Sequence, residues 1–206
     1  MTYDEFLAYV TETLWRTGDA EFAVALPQMI LEAEARMSRD LRIEDNTTIA
    51  ELSMEANSIA LPADYAEIRS VSFAPYESTA YVTPQRFGYL STQNFSTPPP
   101  FYTVMTKKIY VPGDISAALP LPVSILYYTK VPAFVDNPTD NPFYETYPDL
   151  YLAAVLTNTY IFLRQDQRAE LQESKYKALA ESTMHNEASR KNAGAPLFWG
   201  LPGVVA

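Results

Sequence analysis

The sequence predicts an α+β protein in which helices from both ends of the chain form an antiparallel bundle, an antiparallel β-rich region is inserted between them, and an extended tail follows. Apolar residues recur at helical spacing near both ends, whereas short runs of alternating polarity fill the middle. The last residues combine apolar side chains with helix-breaking prolines and glycines. We expect the bundle at 1–45 and 143–192, the insert at 46–142 and the tail at 193–206.

The N-terminal part predicts two helices joined by a short turn. A first helix is expected over about 3–16, because its apolar residues repeat every three or four positions. Asp19 is a suitable N-cap for the next helical segment. Pro27 suits the first turn of a helix and disrupts an interior. We therefore expect a separate helical turn at 22–26 and a longer helix from Pro27 to about Arg42.

The middle of the chain predicts short strands. They are expected near 48–54, 58–61, 68–73, 101–106, 108–111 and 123–128, where β-branched and aromatic residues cluster between turn-forming residues. Thr83 and Pro84 favour a short helix that ends near Leu90, since proline is well tolerated at the first helical position.

The C-terminal part predicts two more helices. The first begins at Pro148 and runs to about Leu163, and because it is apolar nearly all round, we expect it to be the buried central helix. The second runs from Asp166 to about Lys191 and carries many charged residues on its exposed face.

Composition excludes several function classes. The net charge is −10, from 25 acidic and 15 basic residues, and such a surface repels nucleic acid. The chain has no cysteine, so disulfides and thiolate metal sites are excluded. The first ten residues include Asp4 and Glu5 and do not resemble a signal peptide. No apolar run approaches the length of a membrane span.

Residues that could support catalysis or bind a cofactor are sparse. His185 is the only histidine, and in its charged helix we interpret it as a solvated surface residue rather than part of a catalytic triad. The six glycines are scattered and form no phosphate-binding loop. An acidic stretch matches no calcium-binding loop, and its members are expected to form turns and caps: Asp136, Asp140, Glu145 and Asp149. We predict no catalytic residue, no cofactor and no metal ion.

Two sets of apolar and aromatic residues are candidate protein contacts. The tail set is Leu197, Phe198, Trp199, Leu201 and Val204. Burying its large members would contribute roughly 1.5–3 kcal/mol each, enough to hold a neighbouring subunit or a different ring, although the tail could instead fold back onto its own bundle. The second set, a candidate contact with another protein, is Tyr76, Tyr81, Tyr89 and Phe95. A third cluster, Tyr144, Tyr147 and Tyr151, fits either loop packing or a subunit contact.

Three stretches together carry a family resemblance. They are Ala33–Met37 with Arg39–Arg42, Ile59–Val71, and Tyr147–Ala154 followed by Arg164–Arg168 and Tyr176. Their order and spacing resemble the head-to-tail adaptors, or connectors, of tailed phages, and the most similar class is the tail tubular protein A type of short-tailed phages. The resemblance covers most of residues 1–192.

The resemblance implies a structural, non-catalytic role in the virion at the head–tail junction. It implies a homo-oligomeric ring, usually a dodecamer, beneath the portal protein, which extends the DNA channel and supports a tail nozzle or tail tube protein. In such a ring we expect the tail set to contact the portal or a neighbouring subunit, and the second set to contact the next tail component. The resemblance also implies subunits that stay monomeric until the portal templates them. Genomic DNA would pass without specific binding, and no membrane partner is expected. The alternatives are another tail subunit, such as a nozzle or tail-completion protein, a bacterial protein-binding module, and a cell-wall hydrolase that uses two carboxylates.

Overall fold

The computed structural model describes residues 1–74, 79–91, 101–113, 115 and 119–192, with side chains up to residue 187. Within these residues it contains six α-helices and two β-sheets, which confirms the α+β class. The chain divides into two compact units. Met1–Ile43 with Pro132–Ala206 is called the helical unit below, and Glu44–Val131 the β unit.

The described elements follow one another in this order: α1 (Tyr3–Thr13), α2 (Ala20–Asp40), β1 (Thr47–Met54), β2 (Ser58–Ala60), β3 (Tyr65–Phe73), β4 (Ala80–Tyr81), α3 (Pro84–Leu90), β5 (Phe101–Met105), β6 (Lys108–Tyr110), β7 (Leu121–Thr129), α4 (Pro142–Thr146), α5 (Pro148–Phe162) and α6 (Asp166–Asn192). A single 3-10 turn, Glu44–Asn46, precedes β1.

Helix α1 begins with a capping box. The Glu5 amide donates to the Thr2 hydroxyl oxygen at 3.3 Å, and the Thr2 amide donates to the Glu5 carboxylate at 2.8 Å. The helix ends at Thr13, whereas the prediction placed its end near residue 16. It ends there because Trp15 adopts the left-handed region, with φ 56°, while its amide still donates to the Glu12 carbonyl.

Helix α2 is continuous across Pro27, so the prediction of a separate turn followed by a new helix was wrong. Asp19 caps it as predicted, accepting from the Phe22 amide at 3.1 Å. An interior proline costs about 3 kcal/mol. Fully buried side chains on both sides of the proline, among them Phe22, Leu26 and Ile30, contribute roughly 1.5–3 kcal/mol each and outweigh that cost.

Helix α5 is the buried helix that its sequence predicts. It packs against both α2 and α6, and eight of its residues, including Val155 and Thr159, are buried. The Asn158 side-chain amide donates to the Met29 carbonyl at 3.0 Å, which fixes α5 against α2. The short helix α4 was not predicted. It forms because Asn141 caps it, accepting from two successive backbone amides at 3.0 Å each.

The β unit contains two sheets, one with the strand order β1-β7-β3 and the other β2-β6-β5-β4. All described pairings are antiparallel except β4 with β5, which is parallel. The β5–β6 hairpin turns through Thr106 and Lys107, which both have positive φ, as a tight two-residue hairpin turn requires. Alternate residues of β7 enter the core of this unit: Leu121, Val123, Ile125 and Tyr127.

A buried carboxylate lies at the centre of the helical unit. Glu34 of α2 is 4% exposed, and its Oε1 accepts from the Tyr151 hydroxyl at 2.5 Å and from the Phe134 amide at 2.7 Å. Its Oε2 is buried and accepts no hydrogen bond. Burial raises the pKa of the Glu34 carboxyl, and the two hydrogen bonds oppose that shift.

Aromatic rings surround this carboxylate. Phe6, Phe134, Tyr144 and Tyr151 stack at centroid distances of 5.3 to 5.9 Å, mostly edge to face. Tyr147 is half-buried and contacts Phe143 at 5.3 Å. The tyrosine cluster of residues 144–151 is therefore packing inside the helical unit, which was one of its two interpretations.

Replacing Glu34 by alanine should lower the free energy of unfolding by about 3 kcal/mol, because the Tyr151 hydroxyl and the Phe134 amide would both stay buried without an acceptor. Urea denaturation followed by circular dichroism measures the loss. Glu34→Gln is the matched variant. It keeps an acceptor oxygen and should lose less stability than the alanine variant.

The stability of wild type relative to Glu34→Gln should depend on pH. Because the pKa of Glu34 is raised in the folded state, its contribution to the free energy of unfolding is fully present below the unfolded-state pKa, near 4.5. This contribution is lost as the pH rises through the folded-state pKa. The glutamine variant lacks this titration, so its stability relative to wild type should increase over the pH interval that begins near 4.5 and ends above the folded-state pKa. A difference that stays constant over this interval would contradict the assignment.

Candidate functional site

The first and third stretches that carry the family resemblance meet inside the helical unit. Glu34 comes from the first stretch and its partner Tyr151 from the third, 117 positions later. Tyr151 is fully buried, and burial together with the nearby Glu34 carboxylate raises the pKa of its hydroxyl. These two residues therefore hold α2 against α5.

A second contact between the same stretches centres on Arg36. Its guanidinium donates to both carboxylate oxygens of Glu173 on α6, at 2.6 and 2.8 Å, and to Asp40 at 3.3 Å. The guanidinium carbon lies 4.2 Å from the centroid of the Tyr176 ring, and the Tyr176 hydroxyl donates to Asp40 at 2.9 Å. The hydrogen bonds from Arg36 lower the pKa of the Glu173 carboxyl. This bidentate, stacked arrangement links α2 to α6.

The second stretch makes its contacts within the β unit. The Tyr127 hydroxyl of β7 donates to the Asp64 carboxylate at 3.0 Å, and the Lys130 amide donates to the Asp64 carbonyl at 2.8 Å. Burial, together with the Asp64 carboxylate, raises the pKa of Tyr127 to about 12. Asp64 therefore fixes the start of β3 against the end of β7.

The same stretch forms one wall of an open groove in the β unit, called the tyrosine groove here. The groove has a volume of about 440 Å³, and its lining is Tyr65, Glu67, Ile68, Arg69, Tyr81, Tyr102 and Val104. One wall is β3, an edge strand of the first sheet, and the opposite wall is β4 with β5 of the second sheet. The groove therefore lies between two sheet edges.

The tyrosines of the groove differ in exposure. Tyr102 is buried and contacts the Tyr81 ring at 5.7 Å, edge to face, whereas Tyr81 itself is 54% exposed. Tyr65 packs against Tyr127 at 6.1 Å. Burial raises the pKa of Tyr65 and of Tyr102, so both hydroxyls stay protonated well above neutral pH. Their chemistry suits binding of uncharged, partly apolar groups and not proton transfer.

The residues that sequence reasoning assigned to a tail component fall into three groups. Tyr81 lines the tyrosine groove, whereas Tyr89 of α3 is 71% exposed and is not part of that lining. Tyr76 and Phe95 lie outside the described residues. The tail set also lies outside them: Leu197, Phe198, Trp199, Leu201 and Val204. Tyr65 and Tyr102 were not predicted as site residues, although Tyr65 belongs to the resemblance motif.

The residues considered for catalysis or metal binding do not come together. His185 is exposed on α6, and the four acidic residues of the stretch 136–149 are all exposed. Among the described residues, no three histidines and acidic residues approach one another closely enough to hold a metal ion. Within the same part of the chain, no helix has the length and apolar character needed to span a membrane.

Replacing Arg36 by lysine should lower the free energy of unfolding by about 1–2 kcal/mol, because an ammonium cannot make the bidentate contact with Glu173 or stack on Tyr176. Arg39→Lys on the exposed face of the same helix is the control and should change stability by less than about 0.5 kcal/mol. Urea denaturation measures both variants, and equal losses would contradict the role given to Arg36.

The chain matches the family described as SU10 adaptor protein over residues 1–198. No curated protein matches it. The match confirms the resemblance to phage head-to-tail adaptors, whereas the narrower tail tubular protein A type is not confirmed. An adaptor family of this kind is structural and is not a class of enzymes. The chain belongs to the SU10 adaptor protein family of phage structural adaptors.

Proposed function

We propose that copies of this chain assemble into a ring, with twelve subunits as the expected number, between the portal protein of a phage head and the tail. The observation that carries the proposal is the family match across residues 1–198. It favours an adaptor over a nozzle or tail-completion subunit and gives no support to a cell-wall hydrolase. The ring extends the DNA channel and provides the platform on which a nozzle or tail tube protein attaches.

The net charge supports passage of DNA without retention. The chain carries −10, and a ring multiplies that charge by the number of copies. Phosphates near an acidic lumen are repelled, so packaging and ejection would not stall on the wall. A ring structure in which Lys107, Lys108 and the arginines line the lumen would contradict this part of the proposal.

The helical unit supplies the side-to-side contacts of the proposed ring as an antiparallel bundle. Glu34 joins α2 to α5 and Arg36 joins α2 to α6, and the exposed faces of these helices are the proposed contact surfaces. The tail of residues 193–206 adds an apolar contact to the portal or to an adjacent copy. Many weak contacts that act together in a ring give avidity without any single strong site.

The β unit carries the proposed contact with the next tail component. Among the described residues, Tyr89 is the strongest candidate for this contact, because it is 71% exposed. It lies on α3, which is held to β5 by the contact of the Phe87 ring with the Phe101 ring at 5.8 Å. Tyr76 and Phe95 are proposed to belong to the same contact. Tyrosine suits it, since the ring gives apolar area and the hydroxyl gives a hydrogen bond.

Deleting residues 194–206 should weaken docking of the protein on isolated portal rings of the same phage. The tail carries large apolar residues, and the deletion removes this contact from every copy. Because the contacts of a ring act together, these losses combine into a large loss of affinity for the portal. Class-averaged electron micrographs of the mixture measure the fraction of portal rings that carry a second ring, and they report its symmetry.

A chain of unchanged length, with residues 197–201 replaced by glycine and serine, is the control. It should dock as weakly as the deletion, because it keeps the length of the tail and removes its apolar groups. Undiminished docking of both variants would refute the role of the tail. Failure of the wild-type protein to join portal rings or tailless heads would refute the proposed function itself.

A further inference from the structure

The tyrosine groove offers mainly aromatic and apolar surface to a ligand. Of its two charged residues, Arg69 donates to Glu44 at 2.9 and 3.1 Å and lies over the Tyr128 ring at 5.3 Å. The other, Glu67, is exposed. What remains for a ligand is the exposed ring of Tyr81, parts of Tyr65 and Tyr102, and the apolar side chains of Ile68 and Val104. A surface of this kind fits an extended, uncharged peptide segment.

This chain contains such a segment. Helix α6 ends at Asn192, and the residues that follow, 193–206, carry no ionisable side chain. They include Pro196 and Pro202 together with four large apolar residues between positions 197 and 201. Proline-containing apolar segments are a common ligand of aromatic-lined grooves. A segment of this length reaches at most about 50 Å when fully extended, far enough to leave its own helix and contact another chain.

We propose that the tyrosine groove of one copy binds the C-terminal segment 193–206 of a second copy. This inference rests on the proposed function, because it names a contact that would join the ring. Each copy contributes one segment and one groove, so a head-to-tail exchange uses every segment and every groove once when the ring closes. The apolar residues of the segment pack on the tyrosine rings, and the tyrosine hydroxyls donate to its backbone carbonyls.

The absence of native cysteine permits a direct test by cross-linking. One preparation carries Glu67→Cys at the rim of the groove, and another carries Leu201→Cys in the segment. The two are mixed in equal amounts, with and without portal rings, and oxidised. The expected product is a covalent heterodimer, resolved by mass spectrometry after proteolysis.

The groove is tested by a second substitution in the Glu67→Cys chain. Tyr81→Ala should lower the yield of heterodimer roughly tenfold at subsaturating concentration, the effect of truncating an aromatic hot spot. Tyr81→Phe should keep most of the yield, because the ring remains. Tyr89→Ala is the control, since it removes a tyrosine that is also exposed, at 71%, but lies outside the groove.

A chain that carries both cysteines distinguishes the possible occupants. If this chain cross-links within itself at high dilution, the segment occupies its own groove and the inference is overturned. If the protein docks on portal rings without forming the 67–201 cross-link, the inference is overturned while the proposed function stands. A cross-link yield that Tyr81→Ala does not lower has the same consequence. A Tyr81-dependent cross-link between copies that never join portal rings or tailless heads would uphold the inference and refute the proposed function.

Discussion

The helical unit depends on the hydrogen bonds accepted by one buried carboxylate. Glu34 joins α2 to α5 through Tyr151, and it also holds the chain that returns from the β unit through the amide of Phe134. The Oε1 atom of Glu34 therefore accepts from two groups that follow it in the sequence by 100 and 117 positions. A buried charge of this kind is costly unless it is compensated, and here two hydrogen bonds compensate one oxygen while the other remains without a partner.

The helices and strands of the fold were largely predictable because they follow from local periodicity. The nearly all-round apolar character of α5 and the alternation in β7 specify their own burial. The prediction at Pro27 was wrong because the local rule about proline takes no account of packing. In the folded chain, the packing of α2 outweighs the cost of an interior proline. The partners of Glu34, Arg36 and Asp64 were not predictable, because each contact joins positions more than 60 residues apart and no local pattern records the pairing.

The tyrosine groove was not predictable for the same reason. Tyr81 was assigned to a contact with a tail component because it lies in or near a loop of the β insert, whereas the groove around it is formed by strands of two different sheets. Tyr65 belongs to a motif that was noticed for its resemblance to phage adaptors, and Tyr102 lies within a strand whose neighbours are also buried. A groove between two sheet edges leaves no periodic signal in the sequence, because its walls come from separate segments.

The three stretches that carry the family resemblance contribute side chains that join separate segments of the chain: Glu34 is buried, Arg36 is half-buried and Asp64 is exposed. Tyr89 on the surface takes no part in these contacts. Replacing an exposed side chain of this kind usually changes stability by less than about 0.5 kcal/mol. Phages can therefore alter the outer residues of such a protein to suit a different tail while the scaffold stays intact. Two adaptors with the same signature stretches can accordingly be incompatible with each other's virions.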